Sequence, residues 1–391
     1  MNSRSILITL PATLIVVAGL TPCLAHEDKR LVEALAQDAG SRARYEIALL
    51  AAQLASVYSD LGEPEKAARL LQVAREAREA IAHPYVRQAV SGEFANELAA
   101  RDLEHAQRLL GGIDDTELWV KTAWKLARKT GKGTNPTLAR RLLAECVRRA
   151  RAVEDLVLRA DLISGTGANY RDLDRNVGAP LVYESYGLAQ AIDDLFERAI
   201  MFNQVGAHLM DIGDRDLAIQ VFTLVAELVD RIDDPLRQSK VLVMLGGEQA
   251  EKGIRDRAAE ALERGVAIAR RLPEGEEKDD VLSELARNFG QSYRFDRGIE
   301  VAETIGDPYH RAEGFIRIAK NLKKQNQTDR ADQLLQKVEV LAAKIDDPFR
   351  RGVVLRKLAS EYRDADQPDR ARQQLDHAVK SLDKLAEGIG K

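Results

Sequence analysis

The chain is 391 residues long, with 31% charged residues, a formal net charge of −4 and two cysteines. That length can bury a large apolar core, and the mildly acidic balance offers no general attraction for nucleic acid or an anionic membrane surface. The six histidines are scattered and never paired at ligand spacing, which argues against a metal site.

Residues 1–25 read as an export signal. Arg4 precedes an apolar run from Ile6 to Leu20 that is broken by Pro11, and Cys23-Leu24-Ala25 offers a small-residue cleavage site. Cleavage is expected after Ala25, which would make the protein periplasmic or secreted. The run is shorter than the about 20 residues that a spanning helix needs. "LTPC" resembles the box before the lipidated cysteine of bacterial lipoproteins, although Pro22 stands where a small residue is usual. A lipid anchor at Cys23 is therefore the alternative. Once Cys23 is lost, Cys146 has no partner for an internal disulfide, and its small, packed helical position reads as a buried thiol.

A capping helix is expected over 26–41, helical repeats over 42–385 and a polar tail over 386–391. The repeats are marked by recurring punctuation: "IAHP" at Ile81, "GIDD" at Gly111, "VEDL" at Val153, "IDDL" at Ile192, "IDDP" at Ile232, "RLPEGEE" at Arg271, "IGDP" at Ile305 and "IDDP" at Ile345. The spacing is about 40 residues, with two shorter intervals of about 33, before Gly111 and before Ile305. Each unit reads as two helices. Asp caps the first and Pro takes its first turn, where a missing N–H does no harm. Apolar residues follow at helical spacing, as in Leu355, Leu358, Ala359 and Tyr362. A polar link such as "DADQPD" then breaks the helix before a second amphipathic one. No sustained period-2 alternation suggests a strand. The fold class that follows is all-α, a right-handed α-solenoid of about nine antiparallel helix pairs. Stacking is the reason for repetition, because one helix pair cannot cover its own apolar face but its neighbours can.

A small residue late in the first helix recurs twelve positions later in the second in most units: Ala55 with Ala67, Ala127 with Ala139, Gly167 with Ala179, Gly206 with Ala218, Gly246 with Ala258, Ala286 with Gly298, Ala319 with Ala331, and Ala359 with Ala371, whereas Ala95 and Ala106 are one residue closer. With Leu355, Leu358, Tyr362, Leu375 and Ala378 in the last unit, this pattern resembles that of tetratricopeptide-repeat proteins over almost the whole expected mature chain. The period is longer than that family's, and the unit "SGTGANYRDLDRNVGAPLVYESYG" is interrupted by Pro180. The glycines of "SGTGANY" fall where helix is expected and read as close packing sites, with a phosphate cradle as the alternative.

No catalytic constellation emerges: there is no G-x-S-x-G, P-loop or H-E-x-x-H motif. The chain is expected not to be an enzyme and to need no cofactor. Arg87, Arg159, Arg198, Arg311 and Arg351 recur at one position after each entry motif, and that repetition argues for a structural task, pairing with turn carboxylates such as Asp346 and Asp347. A binding site should instead vary between units. The resemblance implies that variable positions of the first helices face a concave groove. Carried across, those positions are Lys121, Trp124, Arg128 and Lys132, then Ile200, Asn203, Ala207 and Met210, then Lys240 and Val243. Toward the C-terminus Arg287, Ile316, Lys320, Lys323, Lys324, Arg356 and Arg363 gather positive charge. The expected function is a non-enzymatic scaffold of the bacterial envelope that holds a protein or peptide segment, of acidic character, in the groove. The alternatives are a glycan- or small-ligand-binding solenoid using Trp124 as a stacking platform, or an accessory subunit of an envelope enzyme complex.

Overall fold

The computed structural model describes residues 29–389 except 100–101, 132–134 and 172. The expected export signal, with its cleavage site after Ala25, and also Cys23 and Lys132, lie outside the described residues. Among the described residues there are nineteen helices and no strand. A short helix, α1 (Lys29–Gln37), leads into nine antiparallel pairs: α2 (Ala39–Asp60) with α3 (Pro64–Glu79), α4 (Pro84–Leu98) with α5 (Leu103–Gly111), α6 (Thr116–Gly131) with α7 (Pro136–Arg151), α8 (Leu156–Tyr170) with α9 (Arg175–Gln190), α10 (Leu195–Ile212) with α11 (Arg215–Val229), α12 (Pro235–Glu251) with α13 (Arg255–Ala269), α14 (Glu276–Gln291) with α15 (Phe295–Glu303), α16 (Pro308–Lys324) with α17 (Thr328–Ala342), and α18 (Pro348–Arg363) with α19 (Pro368–Ile389). The two short units are short because α5 and α15 have only 9 residues each. The first helix of the first pair starts at Ala39, three residues before the expected repeat boundary, and α19 runs on into the segment expected as a tail.

The entry motifs act as the sequence suggests. The Asp234 carboxylate accepts from the backbone N–H of Leu236 at 2.8 Å, Asp307 from that of His310 at 2.9 Å, and Asp347 from that of Arg350 at 2.7 Å. Each such cap is worth about 1 kcal/mol. The recurrent arginines are structural, but their partner differs from the expected one. Arg311 and Arg351 each donate through Nε at 2.8 Å to the carbonyl oxygens of Ile305 and Ile345, and Arg198 reaches the Ile192 carbonyl at 2.5 Å. Each guanidinium thus ties the first helix of its unit to the end of the preceding unit. A carbonyl just past a helix end lacks an intrahelical donor, and this is the group that a turn between packed units must satisfy. The Arg159 Nε is buried with no hydrogen-bond partner.

Within units, the small residues permit close crossing. A Cβ on Gly206 would meet the Phe222 ring at 2.7 Å, and one on Gly246 would meet Leu262 at 2.5 Å. In the glycine-rich unit the contact is one residue off the twelve-residue interval: Gly167 meets the backbone of Gly178, not Ala179. "SGTGANY" is helix, and Gly165 receives the face of Trp124. Cys146 is wholly buried, and burial pushes its thiol pKa far up.

The stack closes on itself. Each first helix packs on the first helices before and after it, and each second helix packs on its own partner and on the next first helix. The series does not stop at α19, because α18 and α19 both pack on α2. One apolar core joins Leu35, Leu50 and Tyr58 near the start to Leu355, Tyr362 and Leu375 near the end. The molecule is a ring with the first helices inside and the second helices outside. At the seam α1 lies on α2 and α4, and the last unit packs on the first. A second set of glycines explains the curvature. Gly92 faces Thr122, Gly247 faces Asn288, Gly290 faces Ile318, and Gly352 faces Leu50, each contact joining neighbouring inner helices. Small side chains on the inner side bring the inner helices closer than the outer ones, so every step bends the same way.

Candidate functional site

The inner helices carry charged side chains on the face turned from the outer layer, and these are joined from helix to helix. Lys125 of α6 pairs with Glu93 of α4 at 2.6 Å, and Lys121 of α6 lies 3.6 Å from Asp161 of α8. Arg171, which caps α8, and Lys252, which caps α12, both pair with Asp211 of α10 at 2.8 Å. Lys323 of α16 donates to the Glu361 carbonyl of α18 at 2.7 Å and lies 3.5 Å from its carboxylate. Lys357 of α18 returns to Glu313 of α16, and Arg363 of α18 crosses the closure to Asp60 of α2 at 2.6 Å. These ion pairs link α4, α6 and α8, then the C-terminal ends of α8, α10 and α12, and then α16, α18 and α2.

Several groups on this wall are displaced from their ordinary protonation. Burial, with Glu251 beside it, pushes Glu248 up to about 7. Burial drives His208 down to about 4, and its Nδ1 sits 2.7 Å from the Ser164 hydroxyl. Burial raises Glu361, although Lys323 and Lys320 pull the other way. Arg317 and Arg356 are half-buried guanidiniums whose pKa values are lowered by burial. Burial of charge is costly unless it is paired, so this wall is held at some expense of stability.

The residues singled out from the sequence separate into three groups. Lys121 is occupied by Glu117 at 2.6 Å, Arg287 by Glu284, and Lys323 by Glu361. Asn203 is 0% exposed with both amide atoms unpartnered, so it lies within the wall between helices and not on its surface, and Met210 packs against the core. Trp124 is half-buried; its Nε1 donates to Thr166 at 2.9 Å while its ring covers Gly165. That leaves Arg128, Lys320 and Lys324 exposed, and Lys240 and Arg356 half-buried. The sequence reading missed Arg317, Lys357, His208 and Glu248. The available signal was the repeat register, because Arg317 and Lys357 share the offset of Lys125, two residues before the small position of each first helix.

Two clefts open elsewhere. One of about 410 Å³ lies against α17, α18 and α19, with Arg351, Gln374 and His377 in its lining. The other, about 260 Å³, lies against α3, α4 and α5, with Arg78, Phe94 and His105 in its lining. Among the described residues no three His, Cys, Asp or Glu side chains gather as a metal cage, and no helix is long and apolar enough to cross a membrane.

Fold and wall together define the chain as an all-α helical-repeat protein. No family model matches it and no curated protein is similar to it. Solved structures similar to it include a Rap protein complexed with Competence and Sporulation Factor, at 12% identity over 86% of this chain and 98% of that one, with a TM-score of 0.36. Aspartyl phosphate phosphatase F from Bacillus subtilis matches at 12% identity over 87% of this chain and 94% of that one, with a TM-score of 0.34. Ton1535 from Thermococcus onnurineus NA1 matches at 14% identity over 68% and 98%, with a TM-score of 0.35.

Proposed function

We propose that this protein is a non-enzymatic interaction scaffold, exported to the bacterial envelope, that holds a segment of a partner polypeptide against the inner wall of its ring. Its units follow the tetratricopeptide pattern, as the recurring small pairs suggest. The observation that carries the reading is the inner wall itself. It is the surface on which chemistry changes from unit to unit, while the outer layer and the turns repeat the same solution. Recognition of a partner that is not itself repeated needs that variation. A stacking platform for glycan is disfavoured, because Trp124 is locked by Thr166 and Gly165.

The test is site-specific photo-crosslinking in the native cell, with the crosslinker at Arg128 and Lys324 on the wall and at the exposed outer residue Lys380 as control. Discrete adducts at the wall positions alone support the scaffold, and mass spectrometry names the partner. Equal adducts at all three positions, or none, sink it. Export is tested separately: a native protein that retains Met1 is not processed as proposed.

A further inference from the structure

At the cleft against α3, α4 and α5 the outer layer departs from its own repeat. Arg78 stands eleven positions after Ala67, the small residue early in α3. In α7, α11, α13, α17 and α19 the same offset holds Ala150, Val229, Ala269, Ala342 and Leu382, all of them buried. The fold fills this position with an apolar side chain, and α3 fills it with a guanidinium. The Arg78 Nε is buried without a hydrogen-bond partner, and the nearby Glu79 carboxylate is 3.7 Å away and 68% exposed. A buried donor left unsatisfied costs stability, and the other units show that the helix pair is built without it.

Arg75 stands one turn before Arg78 at the mouth of the cleft, and His105 lines it from α5. Burial first, and then the charge of Arg75, hold the pKa values of Arg78 and His105 down, with Glu79 and Asp102 opposing. Of the two lining carboxylates, Glu79 is turned to solvent. Glu97 takes the offset of Glu248 and Glu361 on the inner wall and acts on Arg356 there. Beside the cations the lining is apolar, made by Leu71, Phe94, Leu98 and Leu109. The space is left because α5 has only 9 residues and Leu98 is small for its place. The other short unit is closed: the offsets of Leu98, Arg75 and Arg78 hold Phe289, Val266 and Ala269 there, all buried. A volume of about 260 Å³ takes about eight water-sized groups at about 30 Å³ each.

We propose that this cleft binds a small amphipathic organic anion, one acid group on an apolar body of about eight carbons, with the acid on Arg78 and Arg75 and the body on Leu71, Phe94, Leu98 and Leu109. The fork of a guanidinium offers parallel donors to an acid group, and the anion supplies the acceptor that the Arg78 Nε lacks. Burial of the apolar body against four apolar side chains adds to the affinity. The site lies in the outer layer and is independent of any partner held on the inner wall.

The experiment is isothermal titration calorimetry of octanoate into the native protein. Acetate serves as the acid without the body, and octanamide as the body without the acid. Octanoate is expected to bind saturably at a single site, and acetate and octanamide more weakly by about tenfold or more, the scale of one charge-assisted hydrogen bond. Arg78→Met keeps the volume and restores an apolar residue at its offset. It should weaken octanoate binding by about tenfold and melt no lower than the parent in the absence of ligand. Leu98→Phe, which supplies the residue of the other short unit, should weaken binding to a similar degree by filling the space. Arg108→Gln, exposed on α5 outside the lining, should bind as the parent does. Saturating octanoate should slow hydrogen exchange in α3, α4 and α5 and leave α13, α14 and α15 unchanged. The site is overturned by absent octanoate binding, by acetate or octanamide binding as tightly as octanoate, or by Arg78→Met or Leu98→Phe binding as the parent does. A melting temperature several degrees lower for Arg78→Met overturns it as well, since the guanidinium would then be part of the packing.

Discussion

The Tyr58 hydroxyl donates to the Asp376 carboxylate at 2.8 Å across 318 positions of sequence. Beside it Arg372 meets Glu63 at 2.7 Å and Arg363 meets Asp60 at 2.6 Å. These contacts join the last unit to the first and turn a one-dimensional stack into a ring. A stack with two free ends frays from them, since terminal units have one neighbour and not two. Here every unit has two.

Closure predicts that the first and last units share their stability. Gly352 of α18 leaves no room for a Cβ, which would come within 2.5 Å of the buried Leu50 of α2. Gly352→Ala should destabilise by roughly 1–3 kcal/mol through overpacking. Hydrogen exchange should accelerate in α2 as well as in α18. Leu50→Ala should cost less when added to Gly352→Ala than it does in the parent, because the two changes share one contact. Strictly additive effects, or exchange confined to α18, would contradict the closed ring.

The arginine tie between units can be measured alone. Arg351→Ala removes the donor that satisfies the Ile345 carbonyl, at a site where Ile345 is itself buried. The expected loss is roughly 1–3 kcal/mol. Lys344→Ala, exposed one residue before Ile345, should change stability by no more than about 0.5 kcal/mol. Denaturant titration of both variants decides it. Equal effects would mean that the arginine is an ordinary surface residue.

Much of this architecture was legible in the sequence because it is local. Asp at the entry of most first helices, the link after each first helix and the within-unit pair such as Gly206 with Ala218 recur at similar offsets, and each has a short-range cause. Ring closure was not legible in the same way. It depends on the angle added at each of nine junctions, and the glycines that set this angle, such as Gly247 and Gly352, face the next unit at differing offsets. The cationic wall was legible as a cluster, but its pairing was not. Lys323 and Arg287 look as available in sequence as Arg356 does, yet Glu361 and Glu284 occupy them. Arg317 was overlooked because it lies next to the offsets assigned to a concave groove.

The link between helices offers a stabilising substitution. Gly213 and Gly253 occupy it with φ of 85° and 79°, and the equivalent Asp366 adopts a φ of 56°. A side chain in left-handed backbone is strained, while glycine is not, although glycine loses more chain entropy on folding. Asp366→Gly should raise stability by roughly 0.5–1 kcal/mol, read as a higher denaturant midpoint at unchanged slope. A lower midpoint would show that the Asp366 side chain contributes more than the backbone strain takes away.

Two titrating groups of the inner wall should give stability opposing dependences on pH. Glu248 is raised by burial and by Glu251 to about 7, with Asp211 acting the same way and Lys252 and Arg287 opposing. A carboxyl raised in the fold keeps its proton while the unfolded chain has lost it. Its contribution is therefore present below the unfolded value near 4.5 and is lost as pH rises through 7. His208, lowered by burial to about 4, works in reverse: its contribution is complete above 6.5 and is lost as pH falls toward 4. Between pH 4.5 and 6.5 the two slopes cancel in the parent protein. Glu248→Gln should uncover a stability that rises with pH across that window and should exceed the parent by roughly 2–3 kcal/mol at pH 8. His208→Gln should uncover a stability that falls with pH over the same range. Urea melts of both variants at pH 5, 6, 7 and 8 supply the slopes, and a Glu248→Gln profile parallel to the parent's would show that this carboxyl does not hold its proton at neutral pH.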